Sequence, residues 1–424
     1  MKRGIVFFVF IFMLAACSGA DNDDNAYDTE RVRSIIYVSF DDLTPEGYLL
    51  TQSWDTLGID SNDRIYIGFT AFRPDGLEDF LLFSYQHATG ERRFLGSFMQ
   101  AAFEAGNLIE GEEMPKGHTR LVYTNGMIYM ASQGFHDFKE SLCDLENYRG
   151  AHLFRYEIAT GLFTNVTAHL PEGVVIPHEG IIALNYMPSA GYLVGLTHPH
   201  SNIVFIDIET YEVSRVAQGI PWIPGRVVSR DLVVDDANQR VFIYRGPENT
   251  TWTEGTIYAR FTAANAFPVY MYDLARGFIT PIASPVFGGM WGTALVPACG
   301  QRAFVSTAGG YLVEIDFNDP PRARMFGNLL PQEFQDASYR LAFLYHITFS
   351  PCETRLYTIP TYAGHITGLY EFCLEMREST RLIPLPNRVY TGNGIRDSVG
   401  LLYFATFGYH DWAGDGRLMI IELD

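Results

Sequence analysis

Short runs of alternating hydrophobic and polar residues recur along most of this 424-residue chain, and turn residues separate them. Alternation with a period of two predicts strands with one buried face, and Gly, Asn or Asp between two runs predicts a hairpin. The clearest unit is a strand that ends in an acidic or polar residue followed by a turn, at 82–90, 153–161, 205–211, 270–277, 313–319 and 419–424. A second hairpin, rich in β-branched residues, precedes such units at 120–132, 181–196, 231–244 and 347–358.

The two hairpins together recur about every 50 to 60 residues, which is the period of a four-stranded propeller blade. Inner strands are predicted to begin near residues 55, 118, 178, 229, 291, 345 and 396. We therefore predict an all-β fold, a seven-bladed β-propeller with four antiparallel strands per blade. Six or eight blades remain open, because turn boundaries are the least certain feature of such a pattern. Since an unpaired sheet edge is a liability, we expect the strand at 34–40 to complete the three-stranded last blade.

The N-terminal segment differs from the rest of the chain. Residues 1–17 have a basic start, an apolar run and the ending Leu14-Ala15-Ala16-Cys17, which resembles a lipobox. We predict a lipoprotein signal peptide with lipidation at Cys17, and an ordinary signal peptide with a chance cysteine is the alternative. Residues 18–32 then form an acidic flexible tether, and 33–424 form a single propeller domain. The predicted location is the bacterial cell envelope, at the outer membrane or cell surface, with membrane attachment through the lipid anchor only.

Composition narrows the partners. An aromatic content of 14%, with 39 Gly and 21 Pro, favours many short strands and turns. The formal net charge of −19 comes without a basic block and argues against nucleic acid as a partner. Cys299 and Cys352 occupy equivalent turns of neighbouring repeats, so an inter-blade disulfide and two free thiols both remain open.

Histidines concentrate on one predicted face. In a propeller, the first strand of each blade lines the axis, so its start and the end of the second strand meet at one mouth of the central channel. Of the 11 histidines, those at such positions are His118, His136, His178, His198, His200, His346, His365 and His410. We interpret them as a functional cluster, and the alternative is that loops simply favour polar residues.

Other residues at this mouth extend the set of candidates. Arginine can bind a carboxylate with two hydrogen bonds, Trp and Tyr offer stacking faces, and Tyr can act as a general acid. The residues that we predict to bind substrate are Lys116, His178, Arg226, Trp291, Tyr345, His346 and Arg396.

The segment from Gly117-His118-Thr119 through a strand pair ending at His136 and on to the run 148–156 resembles the second blade of the seven-bladed propeller polysaccharide lyases of the ulvan lyase type. The following run 195–199, with the strand that ends at Asp207, is similar to the next blade of that group. The resemblance implies β-elimination at a uronic acid, with an anionic polysaccharide or oligosaccharide as substrate.

Carried over to this chain, His118 and His136 match the histidine pair of that family and would serve as base and partner. The family also uses a Tyr and an Arg from a following blade, where this chain has His178 and His198 or His200. Arg230 and Tyr244, one blade further on, could substitute. The predicted catalytic residues are thus His118, His136, Arg230 and Tyr244.

Two further interpretations concern the same mouth of the channel. In one, His178, His198 and His200 hold a divalent metal that neutralises the uronate carboxylate, as in the propeller oligogalacturonate lyases, which the chain resembles in architecture and histidine usage. In the other, the protein is a non-catalytic surface propeller that binds a glycan or a protein. Another propeller enzyme also remains open.

Overall fold

The computed structural model describes residues 31–134, 148–198, 200–217, 230–244, 269–282, 291–307, 310–335, 346–360, 367–385, 390–407 and 416–424. These residues form seven antiparallel sheets around an axis, and the predicted seven-bladed β-propeller is confirmed. The predicted signal peptide, Cys17 and nearly all of the predicted tether lie outside the described residues. No helix within the described ranges is long and apolar enough to span a membrane.

The strands follow one another blade by blade, after a first strand β1 (Val32–Ser39). The strands of blades 1 and 2 are β2 (Leu49–Leu50), β3 (Leu57–Ile59), β4 (Arg64–Phe72), β5 (Glu78–Gln86), β6 (Glu91–Ser97), β7 (Lys116–Gly117), β8 (Val122–Thr124), β9 (Met127–Gln133), β10 (Leu153–Glu157) and β11 (Leu162–Asn165). Those of blades 3 and 4 are β12 (Gly180–Met187), β13 (Tyr192–His198), β14 (Ile203–Asp207), β15 (Val213–Ala217), β16 (Val233–Asp235), β17 (Arg240–Tyr244), β18 (Val269–Asp273) and β19 (Phe278–Pro281). Those of blades 5 to 7 are β20 (Trp291–Leu295), β21 (Arg302–Thr307), β22 (Tyr311–Asp316), β23 (Arg322–Asn328), β24 (Thr348–Phe349), β25 (Arg355–Thr358), β26 (Gly368–Cys373), β27 (Glu378–Pro384), β28 (Tyr390–Arg396), β29 (Leu402–Phe407) and β30 (Arg417–Leu423).

The first strand closes the ring. Blade 7 has the strand order β1-β30-β29-β28, and β1 pairs antiparallel with β30 with Ile36 opposite Ile420. The guanidinium of Arg31 donates two hydrogen bonds of 2.7 Å to the carboxylate of Glu371 in blade 6. The expectation that the N-terminal strand completes the last blade is thus confirmed, and an open sheet edge is avoided.

Helix α1 (Phe98–Glu104) fills the space between blades 1 and 2. Ser97 caps its N-terminus, because the Ser97 Oγ accepts a hydrogen bond of 3.1 Å from the backbone N–H of Gln100. Phe98 stacks on Phe154 of blade 2 at 4.0 Å and on Phe80 of blade 1 at 4.2 Å between ring centroids. All three rings are fully buried, and each contributes about 1.5–3 kcal/mol through burial of apolar surface.

The inner strands of blades 1 and 2 are each split into two short pieces. β2 and β3 both pair with β4, and β7 and β8 both pair with β9. The backbone between the pieces, at 51–56 and 118–121, lies beside the axis. The segment 51–56 contacts the end of β7, because Thr56 Oγ1 donates a hydrogen bond to the Gly117 carbonyl. This local irregularity brings the polar side chains of two blades together.

The cysteines within the described ranges, Cys299, Cys352 and Cys373, are free thiols. Of the two open alternatives for Cys299 and Cys352, the structure therefore has two thiols and no inter-blade disulfide.

Candidate functional site

Four polar residues from four blades meet at the channel mouth where the inner strands begin. His118 Nδ1 lies 3.1 Å from Asp55 Oδ2, and His118 Nε2 lies 3.2 Å from Arg230 Nη1. On the other side of the carboxylate, His346 Nδ1 lies 3.8 Å from Asp55 Oδ1. We name Asp55, His118, Arg230 and His346 the channel cluster. Residues far apart in sequence meet here because each lies at the axial end of its own blade.

Trp54 and Lys116 cover the cluster on the side of blades 1 and 2. The Trp54 ring stacks on His118, with centroids 5.6 Å apart and planes at 21°. Lys116 Nζ lies 4.2 Å from the Trp54 ring centroid, a cation–π geometry. Lys116 and Arg230 both lie beside His118, and Arg230 is also close enough to Asp55 to lower its pKa.

The contacts of His118 define its tautomer. An ionised carboxylate only accepts hydrogen bonds and a guanidinium only donates them. Nδ1 of His118 faces Asp55 and therefore has the proton, and Nε2 faces Arg230 with its lone pair. His118 thus presents a basic nitrogen toward the cation.

Burial and charge set the protonation of this pair. Burial lowers the pKa of His118, and the contact with Asp55 offsets only part of that effect. Burial also raises the pKa of Asp55, but the hydrogen bond and charge of His118, with His346 and Arg230, lower it below its ordinary value. The pair is therefore a neutral imidazole beside an ionised carboxylate at neutral pH, which suits a proton acceptor.

Two further histidines near the mouth are neutral. Burial, followed by the charge of Arg230, lowers the pKa of His198 to about 3. Burial also lowers the pKa of His346 to about 3, although Asp55 acts in the opposite direction. Neither side chain adds positive charge at neutral pH, so among the described residues Lys116 and Arg230 are the cations that act on His118.

An ion pair lies across the channel next to the cluster. Arg120 Nη2 donates to Asp231 Oδ2 at 2.6 Å and to the Ala294 carbonyl at 2.5 Å. Asp231 also accepts hydrogen bonds from the backbone N–H groups of Leu232 and Ala294, at 2.8 and 2.7 Å. This pair joins blades 2, 4 and 5 and is electrically neutral. It separates the mouth from a cavity of about 530 Å³ at the opposite end of the channel, which Arg120 also lines.

Several predicted site residues lie where the sequence pattern put them. His118, His178 and His346 are at or just before inner strands, and His198 ends the second strand of blade 3. Lys116 and Arg230 are both buried beside His118. The predicted residues His136, Arg226 and Tyr345, with His365 and His410, lie outside the described residues.

The roles predicted for Tyr244 and Trp291 are wrong. Both side chains are at most 1% exposed, and their rings stack at 5.8 Å in the apolar core between blades 4 and 5. Trp291 thus has no open face for a sugar. Burial also raises the pKa of Tyr244 well above its ordinary value, so its hydroxyl holds its proton too firmly for a general acid.

The predicted metal ligands are not brought together. His178 is exposed, has a positive φ of 60° and donates from Nδ1 to the Tyr148 carbonyl at 2.9 Å. His200 Nδ1 instead lies 2.9 Å from Glu179 Oε1. His198 faces Arg230, since the charge of that arginine lowers its pKa. No three His, Cys, Asp or Glu side chains of the described ranges are arranged to hold a metal ion.

Arg396 was predicted at the start of the last inner strand, and this placement is wrong. Strand β28 begins at Tyr390 and ends at Arg396, so Arg396 lies at the opposite end of the channel from His118. It lines the cavity of about 530 Å³ there, beside Asp397. The run Thr-Gly-Asn-Gly at 391–394 hides the true start of this strand in the sequence.

Asp55 and Trp54 are the functional candidates that the sequence reasoning missed. Blade 1 has no histidine at the start of its inner strand, so a set of candidates built on histidines leaves this blade out. The repeat itself contained the signal, because an inner strand is expected near residue 55, in the position that His118 has in blade 2.

Fold and site together define a β-propeller with a polar cluster in the mouth of its channel. Among the solved structures similar to it, the Myceliophteria thermophila Cps50 (Swd1) beta-propeller domain matches at 12% identity with a TM-score of 0.55, over 89% of this chain and 100% of that one. U3-55K and the RRP9 WD40 repeats each match at 9% identity and a TM-score of 0.55, over 94% of this chain and 100% and 99% of theirs. No family model matches the chain, and no curated protein matches it. At these identities the likeness shows the fold alone.

Proposed function

We propose that this propeller cleaves a uronic-acid-containing polysaccharide by β-elimination at the channel mouth. The observation that supports the proposal is the contact of one neutral histidine, His118, with both an orienting carboxylate, Asp55, and a cation, Arg230. Base, orienting group and cation within hydrogen-bonding distance are what proton abstraction next to a carboxylate requires.

The reaction uses these groups in a fixed order. The substrate carboxylate gives the Arg230 guanidinium a stronger acceptor than an imidazole nitrogen, so Arg230 turns to the substrate and frees His118 Nε2. Neutralisation of the carboxylate makes the C5 proton more acidic, and Nε2 takes that proton. The C4–O4 bond then breaks, a C4=C5 double bond forms, and the departing O4 takes up a proton from water, whose hydroxide removes the C5 proton from the His118 imidazolium. Asp55 stabilises the imidazolium that His118 becomes.

The charge of the mouth favours this substrate class. Lys116 and Arg230 both lie beside His118, so a carboxylate that binds at this base finds two cations next to it. The Trp54 ring holds Lys116 in place, which reduces the entropy lost when an anion binds.

We also propose that the protein acts at the cell envelope, tethered by lipid on Cys17. The lipobox-like sequence and the acidic segment 18–32 support this location. Replacement of Cys17 by Ser should release the protein from the membrane fraction and abolish labelling with a clickable fatty acid.

The test of the activity is a panel of uronate polymers: ulvan, pectate, alginate and glycosaminoglycans. A lyase produces an unsaturated uronate that absorbs in the near ultraviolet, and mass spectrometry shows products without an added water. The proposal predicts both signals on at least one polymer, and their absence on every polymer contradicts it.

A non-catalytic glycan-binding propeller is the second candidate. His118 is only 3% exposed, and this burial favours binding over turnover. Retention of a polymer by affinity electrophoresis without any unsaturated product would support this candidate.

A further inference from the structure

The wall of the channel mouth contains buried polar side chains that β-elimination does not use. Gln52, Ser53 and Gln133 are each at most 5% exposed. Within the part of the chain that the structure describes, Gln52 Oε1, Ser53 Oγ and Gln133 Oε1 have no hydrogen-bond partner. Because an unpaired buried polar atom is costly, such atoms usually face a ligand or an ordered water. We name these three residues the acceptor wall.

Contacts between blades 1 and 2 bring the acceptor wall next to the cations. Gln52 and Ser53 directly precede Trp54, whose ring lies 4.2 Å from Lys116 Nζ. Lys116 is in turn the register partner of Gln133 in the β7–β9 pair. Gln133 therefore lies on the same side of the mouth as the Lys116 charge, and Gln52 and Ser53 lie within two residues of the Trp54 ring that Lys116 contacts.

The unpaired atoms continue into blade 3. Gln133 packs against Gly180, where an added Cβ would lie 2.7 Å from Gln133 Cγ. Gly180 is the register partner of His198, whose buried Nδ1 also has no hydrogen-bond partner among the described residues. The absence of a side chain at Gly180 leaves room for Gln133 beside His198.

The chemistry of the acceptor wall selects the ligand. Two of its unpaired atoms are amide oxygens, which only accept hydrogen bonds, so the ligand must donate. A carboxylate or a sulfate offers acceptors only and leaves these oxygens unpaired. Sugar hydroxyl groups and acetamido N–H groups donate.

We propose that Gln52, Ser53 and Gln133 form a subsite for an uncharged, hydroxyl-rich sugar unit next to the acidic unit at the channel cluster. This subsite rests on the proposed function, because the acidic unit is the one that the proposed reaction cleaves. The substrate is then a polymer in which acidic and neutral sugars alternate, and a homopolymer of uronates fits less well.

The test compares two oligosaccharides by isothermal titration calorimetry on the full-length protein. One is an unsulfated chondroitin tetrasaccharide, which alternates glucuronate and N-acetylgalactosamine, and the other is a galacturonate tetrasaccharide. We expect the alternating compound to bind about tenfold more tightly. Gln133→Met keeps the side-chain volume and removes the hydrogen-bond acceptor. It should weaken binding of the alternating compound about tenfold and leave binding of the galacturonate unchanged. Gln86→Met, at the other end of a blade, is the matched control and should change neither.

Equal or tighter binding of the galacturonate, or a Gln133→Met variant that binds both compounds like the wild type, overturns the subsite. A failure of the proposed function gives a different result. Neither acidic oligosaccharide then binds, and Arg230→Ala does not change the calorimetric signal. The subsite is then tested with the neutral oligosaccharides xylotriose and chitotriose. These neutral oligosaccharides should bind to the wild type and bind more weakly to Gln133→Met. If they do not bind to the wild type, or bind equally well to the variant, the subsite is overturned as well.

Discussion

Replacement of Asp55 by Asn removes one charge from the channel cluster and keeps the shape of the side chain. In the wild type, Asp55 Oδ2 lies 3.1 Å from His118 Nδ1 and stabilises the positive charge that develops on the imidazole during proton abstraction. A hydrogen bond to a charged group contributes about 1.5–3 kcal/mol, which corresponds to a decrease of about 10- to 100-fold in kcat. KM should stay the same or fall, because the variant removes a negative charge from an anion-binding mouth.

The assay for Asp55→Asn is steady-state kinetics on a polymer that the wild type cleaves, with the folded state checked by circular dichroism. Asp63→Asn is the matched control, because Asp63 bonds Ser398 at the other end of the channel. Nitrogen NMR of His118 gives a second readout that needs no turnover: Nδ1 has the proton in the wild type, and the variant should lower this preference. An unchanged kcat together with an unchanged tautomer would show that Asp55 does not orient a base.

Three further results follow from buried or hydrogen-bonded titratable groups. His198 and His346 each have a pKa of about 3 in the folded protein and 6.5 in the unfolded chain. As the pH falls from 7 to 5, the unfolded chain binds a proton at each histidine before the folded protein does. The free energy of unfolding should therefore fall by about 2 kcal/mol for each of them. Urea titrations of His198→Asn and His346→Asn at several pH values test this. A free energy of unfolding that depends on pH in the variants as it does in the wild type contradicts it. Burial raises the pKa of Asp79 from 3.8 to about 6, so ionisation of this side chain opposes folding as the pH rises through that window. The free energy of unfolding of Asp79→Asn should exceed that of the wild type by about 3 kcal/mol at pH 8 and equal it below pH 4. A difference that does not depend on pH argues against a buried charge. Hydrogen bonds from Ser350 and Thr354 lower the pKa of the Cys352 thiol to about 7, so its alkylation by iodoacetamide, followed by mass spectrometry, should be half-maximal near pH 7, and a midpoint near pH 9 refutes this.

The fold was predictable because its signals repeat. Alternating strands, polar turns and a constant period give seven independent estimates of where an inner strand begins, and errors in one blade leave the others intact. Closure by β1 followed from the unpaired edge alone. The last blade shows the limit: its inner strand contains Gly and Thr where others have large apolar residues, so its start was misplaced and Arg396 was assigned to the wrong end of the channel.

The site was predictable only in part, because position along a strand does not determine which way a side chain faces. Tyr244 and Trp291 lie at the right strand ends, but their rings fill the core between blades 4 and 5. Asp55 was missed since its role depends on contacts with His118 and His346, which are 63 and 291 residues away (118 − 55 and 346 − 55). The interrupted inner strands of blades 1 and 2, which create these contacts, have no signature in hydrophobic periodicity.

The release of unsaturated uronate by wild type, His118→Ala and Arg230→Ala is the most direct test of the account. His87→Ala, on a turn after the third strand of blade 1, is the control. We expect a near-ultraviolet signal with the wild type and the control, a loss of kcat in His118→Ala, and a loss of both kcat and substrate affinity in Arg230→Ala. Full activity in either of these two variants, or no unsaturated product from any uronate polymer, would contradict it.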